Sequence, residues 1–202
     1  MKLHGVVRVV PYQNSSFFQT RTGWYAIGDN DDGQLGLGHC NNVSTPTRIE
    51  SRWDLVDRFA DSRSSFFTTT DPATPLVACG LTNCGLLGVS SPDHSILTPV
   101  TLPAGLDVTR VMIDNQSTFI FSGTRCFVCG DNSNHSIGLP TNEEFVRVPT
   151  ELTFPVSAII KDYYSTVFIS EGRLLAIGYQ QRTHSRSPIA SPFPPRSITL
   201  GR

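Results

Sequence analysis

Five cysteines, five histidines and a run of Asp and Asn residues carry whatever chemistry this chain could perform. Cys126 and Cys129 form a Cys-x-x-Cys pair, the spacing of zinc ligands and of redox dithiols. Residues three apart on a strand point to opposite faces, so two such thiols do not converge on one metal. Cys126 stands where other segments place Trp24, Leu76 and Leu174, and Cys129 where they place Ile27, Cys79 and Ile177. These cysteines read as small buried hydrophobes. Cys40 and Cys84 fall in expected turns, and no second Cys-x-x-Cys completes a site. The stretch Asp29-Asn30-Asp31-Asp32-Gly33 suggests calcium. Setting Gly33 at the sixth loop position puts His39 at the twelfth, where a bidentate Glu is needed. Gly33-Gln34-Leu35-Gly36-Leu37-Gly38 has neither the order nor the following Lys of a phosphate loop. No serine sits in a nucleophile elbow, and His4, His39, His94, His135 and His184 are scattered. The expectation is no catalytic residue, no metal and no cofactor: not an enzyme.

The elements that hold these residues are limited by composition. Of 202 residues, 16 are basic and 17 acidic, a net charge of −1. That excludes a broad cationic face, so nucleic acid is not expected as a partner. Twelve Phe supply much of a core. The apolar start (Val6, Val7, Val9, Val10) is interrupted by Arg8 and reads as a strand, not a signal peptide. No apolar run reaches the roughly 18 residues of a membrane span. The expected setting is intracellular, cytoplasmic or nuclear, away from membranes. Asn14, Asn42, Asn115 and Asn134 begin N-x-[ST] triplets that carry no glycan meaning there. An odd cysteine count in a reducing compartment implies free thiols.

The chain repeats itself. Short apolar runs end in Gly28, Gly80, Gly130 and Gly178, which are 52, 50 and 48 residues apart. A Ser-rich marker precedes each: Ser15-Ser16-Phe17-Phe18, Ser64-Ser65-Phe66-Phe67, Ser117-Thr118-Phe119-Ile120 and Ser165-Thr166-Val167-Phe168. A proline follows each, before a third short segment: Pro46, Pro99, Pro149 and Pro195. Each unit opens on a β-branched or apolar run: 6–10, 55–59, 108–113 and 156–160. Four to six apolar residues bounded by Gly, Asn, Asp and Pro read as strands. Strands apolar on both faces belong to sheets covered from both sides. The expected fold is all-β, with propeller blades in four units of about 50 residues. Approximate unit bounds are 5–54, 55–106, 107–154 and 155–202. Gly36, Gly88 and Gly138 each lie eight residues past a strand-end glycine, behind a Leu or Ile. Such pairs fit tight turns needing φ > 0. Asp29-Asn30 and Asp131-Asn132 are expected to hold those turns and are also candidate partner-facing loop residues. Arg182 to Pro195 is Arg/Ser/Pro-rich and reads as a loose final turn or a phosphorylatable segment.

Unit one contains Trp24-Tyr25-Ala26-Ile27-Gly28-Asp29-Asn30, then Gly33-Gln34-Leu35-Gly36-Leu37-Gly38 and Thr45-Pro46. This resembles the repeat of the regulator of chromosome condensation family. Units two and three echo it (Cys79-Gly80 with Leu87-Gly88, Cys129-Gly130-Asp131-Asn132 with Ile137-Gly138), and unit four keeps Ala176-Ile177-Gly178. The resemblance implies a β-propeller, and guanine-nucleotide exchange on a small GTPase of the Ran type as one activity. Family repeats carry Gly-x-x-His-Ser before the middle strand. Here Tyr12, Asp61, Asp114 and Asp162 replace the glycine, and Ser15, Ser64, Ser117 and Ser165 replace the histidine. Asp tolerates a left-handed backbone better than most residues, so three of the four substitutions are expected to keep the turn. The leading expectation is a non-catalytic protein-interaction module, with exchange as the alternative. Seven blades, the family's usual ring, need about 350 residues at this period. Four units are therefore expected to form an open arc or a small ring, or to dimerise through exposed blade faces.

Overall fold

The computed structural model describes residues 3–60, 63–82, 85–89, 94–114, 116–161 and 165–178. They form four antiparallel sheets, each a meander of consecutive strands. The first holds β1 (Val6–Tyr12), β2 (Ser15–Thr20), β3 (Gly23–Gly28) and β4 (Val43–Arg48). The second holds β5 (Leu55–Ala60), β6 (Ser64–Thr69), β7 (Leu76–Gly80) and β8 (Thr98–Pro99). The third holds β9 (Arg110–Ile113), β10 (Ser117–Ser122), β11 (Arg125–Asp131) and β12 (Phe145–Glu151). The fourth holds β13 (Ala158–Lys161), β14 (Ser165–Ser170) and β15 (Arg173–Gly178). Pro195 and the last short segment lie outside the described residues, as do Asp61, Cys84, Asn115, Asp162 and Arg182–Pro195.

Pro46, Pro99 and Pro149 lie within the fourth strands, not ahead of them. These are sheet edges, where a missing N–H costs no ladder bond. Pro46 and Pro149 also sit where the register slips, between Ala26/Gly28 and between Val128/Gly130 of the neighbouring strand.

Alternation along the middle strands sends one set of side chains to each neighbouring blade. Phe17, Trp24 and Ala26 of blade 1 meet Phe67, Val77 and Cys79 of blade 2. Phe66, Leu76 and Ala78, on the other side of blade 2, meet Ile120 and Phe127 of blade 3. Phe119, Cys126 and Val128 meet Phe168 and Leu175 of blade 4. Four sheets thus share three apolar cores, and none of the cores joins blade 4 to blade 1 among the described residues. The propeller is an open arc. Val7 and Val9 on β1 are 60% and 53% exposed, and Ile160 on β13 is 65% exposed.

The first strands crowd toward the hub. β5 touches β9, Arg8 of β1 pairs with Asp57 of β5, and Lys161 of β13 pairs with Asp114 beside β9 at 2.9 Å. One charge is buried in the first joint. Arg58, 5% exposed, stacks 3.3 Å over the Phe17 ring and donates to Ser65 Oγ at 3.0 Å.

Candidate functional site

In blades 1 to 3 a glycine at or next to the end of the third strand rests on the turn between the first two strands of its sheet. A Cβ on Gly28 would lie 2.2 Å from the Asn14 carbonyl oxygen. The corresponding distances are 2.3 Å at Gly80 to Arg63 and 2.3 Å at Gly130 to Gln116. The exit loop then crosses to the next blade. Gly36 faces Cys79 Sγ and Leu97, Gly88 faces Pro149 and Cys129 Sγ, and Gly138 faces Phe168 and Leu152. The seven repeat glycines have φ between 63° and 122°: Gly28, Gly36, Gly80, Gly88, Gly130, Gly138 and Gly178.

The first two of these loops lock onto the following blade through their carbonyls. Gln34 O accepts from Ser65 Oγ at 2.7 Å and from Cys79 Sγ at 3.5 Å. Leu86 O accepts from Thr118 Oγ1 at 2.8 Å and from Cys129 Sγ at 3.4 Å. Cys129 therefore turns toward blade 2, whereas Cys126 packs toward blade 4. The Cys-x-x-Cys thiols occupy opposite faces of β11. Among the described residues no group of three His, Cys, Asp or Glu side chains can hold a metal ion.

Burial pushes the Cys79 thiol up to about 12, with the Arg58 charge opposing weakly. Burial does the same at Cys126, against the Arg110 charge, and at Cys129. The native chain thus holds three protons that an unfolded chain releases near pH 8.5–9. A raised folded-state pKa contributes stability that is fully present below the unfolded value and lost as pH climbs toward the folded one. Urea midpoints are expected to be flat up to pH 8 and to fall progressively above pH 9. Unchanged midpoints at pH 10.5 would show that these thiols are not shielded.

Asn30 and Asn132 do not face a partner, contrary to the sequence expectation. They are 0% and 1% exposed. Asn30 Nδ2 donates to His39 O at 2.7 Å and Asn41 O at 3.2 Å, while its Oδ1 accepts from Leu35 N at 2.9 Å. Asn132 Nδ2 donates to Thr141 O and Glu143 O. Both carboxamides pin their exit loops from inside; Asn30 uses donor and acceptor to bond backbone groups on two sides, whereas Asn132 uses its donor alone. Replacing Asn30 by Ala strands three such groups and is expected to cost about 3 kcal/mol. Urea unfolding measures it, and a loss below about 1 kcal/mol would mean that the loop re-forms its bonds elsewhere.

One substituted family position, Asp114, also differs from expectation. Asp114 is not left-handed; the positive-φ non-glycine residues among those described are Gln13, His135 and Glu171. The Asp114 carboxylate instead accepts from Gln116 N at 2.8 Å and Ser117 N at 2.7 Å. It closes the turn through its side chain, which needs no unusual φ. Asp131 acts similarly, accepting from Ser133 N.

Of the loop residues singled out from sequence, Asp29 reaches an open concavity. It lines a cavity of about 270 Å³ between blades 1 and 2, with Gln13, Asn14, Ser15, Asp31, Asp32, Gln34 and Arg63. Arg63 clamps Asp32 with two bonds, at 2.6 and 2.8 Å. Asp29 and Asp31 leave this loop face acidic. Gln13, Asn14 and Arg63 escaped the sequence reading because they come from turns of two different blades. A larger groove of about 520 Å³ lies elsewhere, lined by Val56, Asp57, residues 68–72, Pro75 and residues 105–109.

Comparison with known proteins completes the picture. Residues 24–58 match the regulator of chromosome condensation (RCC1) repeat. The cattle secretion-regulating guanine nucleotide exchange factor is 26% identical over 140 residues, covering 67% of this chain and 30% of that protein. The mouse X-linked retinitis pigmentosa GTPase regulator is 32% identical over 145 residues, covering 67% of this chain and 14% of that protein. The chain thus spans less than a third of the curated relatives it matches. Human WBSCR16 superposes with a TM-score of 0.66 at 21% identity, over 86% of this chain and 47% of that one. Yeast RCC1 (Prp20), crystallised bound to Kap60, gives 0.65 at 17% identity, over 86% and 43%. At these identities the superpositions speak for the fold alone. The chain thus carries an RCC1 repeat at residues 24–58, and its four stacked antiparallel sheets share the fold of RCC1-type propellers.

Proposed function

We propose that the chain is a non-catalytic protein-interaction module whose loop face, at the mouth between blades 1 and 2, receives a basic segment of a protein partner. The observation that carries this reading is the division of labour in the exit loop. Asn30, Leu35 and Gly36 are buried and hold the joint, whereas Asp29 and Asp31 line the open cavity beside them. Two outward carboxylates on a rigid, internally bonded loop make a preorganised acceptor for Lys or Arg. The buried, protonated thiols supply no nucleophile. Four free thiols among the described cysteines support an intracellular setting. The exposed blade faces offer a second copy of the chain a further contact.

Carboxyl-directed cross-linking of the chain in cell extract, read by mass spectrometry, tests the reading. Cross-links are expected to concentrate at Asp29 and Asp31, and to vanish in the Asp29→Asn/Asp31→Asn double variant. Cross-links confined to the 68–72 and 105–109 groove would overturn it.

Guanine-nucleotide exchange is the second reading, and it rests on the names of two relatives. An exchange factor must bind the nucleotide-free GTPase better than the loaded one. Release of a fluorescent guanine nucleotide from purified small GTPases is expected to stay at its intrinsic rate when the chain is added. Clear acceleration would transfer the assignment to exchange.

A further inference from the structure

The three internal joints share one construction, and it has a direction. The downstream face of one blade gives an aromatic or aliphatic pair plus a small residue, such as Phe17, Trp24 and Ala26. The upstream face of the next gives a hydroxyl on the second position of its middle strand, an apolar residue two further on, and a Cys or Ile before the strand-end glycine. In blade 2 these are Ser65, Phe67 and Cys79. Directly paired residues share a sheet face, so register identifies the same positions at the ends of the arc. On blade 1, Ser16 pairs with Ile27, and Phe18 pairs with both Val9 and Tyr25. They face away from Phe17 and Ala26, and hence away from blade 2. On blade 4, Val167 pairs with Ile160 and Ala176, and Ile169 with Leu174. They face away from Phe168, and hence away from blade 3.

Both ends therefore carry joint residues rather than a polar cap. Ser16, Phe18, Tyr25 and Ile27 reproduce the upstream pattern, and Val167, Leu174 and Ala176 the downstream one. All seven retain solvent exposure, and Val9 and Ile160, beside them on the first strands, are more than half exposed. Terminal faces of repeat arrays are ordinarily polar, because an apolar one invites association.

We propose that these faces join copies of this chain head to tail, the downstream face of blade 4 docking on the upstream face of blade 1 of a second copy. Continuity with the internal joints selects this occupant. The two halves differ in kind, so identical copies match each other only in the heterologous sense, not face to like face.

Complementing variants of the full chain test the proposal by analytical ultracentrifugation across the micromolar range. The unaltered chain is expected to shift from the mass of one copy to that of two or more as concentration rises. Val9→Lys removes one half of the joint and Ile160→Lys the other, so each variant alone is expected to remain monomeric. Mixed together they retain one working half each and are expected to form a one-to-one pair and nothing larger. Both sites are exposed, so melting temperatures should match the parent. If Val9→Lys lowers its melting temperature, Val9→Thr, which keeps the β-branch, replaces it and should weaken association at least tenfold. A parent that stays monomeric throughout, as it would if residues 179–202 covered the face, overturns the proposal. So does self-association surviving in either lysine variant, which would indicate like-to-like pairing, or a mixture that stays monomeric.

Discussion

Gly130→Val should yield no natively folded protein at ambient temperature. The glycine has φ 115°, a region that β-branched residues do not populate without strain of about 1–3 kcal/mol. The second cost is spatial. A Cβ there would lie 2.3 Å from Gln116 O and 2.6 Å from Ser117 Cα, both backbone atoms at the start of β10. No rotamer relieves such a contact; β10 and β11 must separate. That separation breaks the Ser117 to Gly130 pairing and displaces Thr118, whose hydroxyl anchors the exit loop of blade 2. With overpacking of a further 1–3 kcal/mol, the total rivals the roughly 5–15 kcal/mol that holds a typical domain together. Gly123→Ala is the control. Its φ is 61° and nothing lies within 4 Å of a Cβ there, so the cost is strain alone. Circular dichroism and urea unfolding are the readouts. A Gly130→Val chain with a native midpoint would refute the close approach of turn and strand end.

Phe168→Ala should detach one blade and leave the others folded. Phe168 is 0% exposed and stands edge-on to Phe119 and Phe154, at 6.0 and 5.4 Å between centroids. Gly138 of the incoming exit loop packs on its ring. Truncation empties the centre of the third core and costs about 3–5 kcal/mol. In a repeat array, stability is the sum of units and nearest-neighbour joints. The loss should therefore fall on β13–β15, which have a single covered face. Hydrogen exchange should show protection lost there and retained in β5–β8. Uniform loss along the chain would mean that the arc unfolds as one cooperative body, contradicting three separable cores.

Much of this architecture was legible in the residues. The spacing of Gly28, Gly80, Gly130 and Gly178 marked the strand ends, and the apolar runs before them marked strands covered on both faces. Cys126 and Cys129 divided between two faces because alternation requires it. What escaped had a common cause: partners distant in sequence. Asn30 looked like a solvent-facing loop residue until the carbonyls of His39 and Asn41 closed over it. Asp114 was assigned a backbone role, but its carboxylate reaches two amides and makes that unnecessary. The cavity takes Arg63 from one blade and Asp29 from another, a meeting set by sheet stacking. One signal was available. Ser65 and Thr118 recur at one repeat position beside Cys79 and Cys129, and a hydroxyl and a thiol kept at buried strand positions imply a carbonyl to serve.

The hub of the arc is fastened differently from its body. The body is held by apolar cores, whose grip is indifferent to ions. The first joint's hub contact is Arg8 with Asp57, nearly half exposed on both sides, and small ions weaken such a pair within about one 10 Å screening length at 0.1 M salt. The corresponding contact of the last joint uses Lys161, whose side chain is 8% exposed and largely shielded from that weakening. The molecule is therefore mechanically lopsided. Rising ionic strength should weaken the hub contact between blades 1 and 2 more than the one between blades 3 and 4, leaving the first joint to its apolar core.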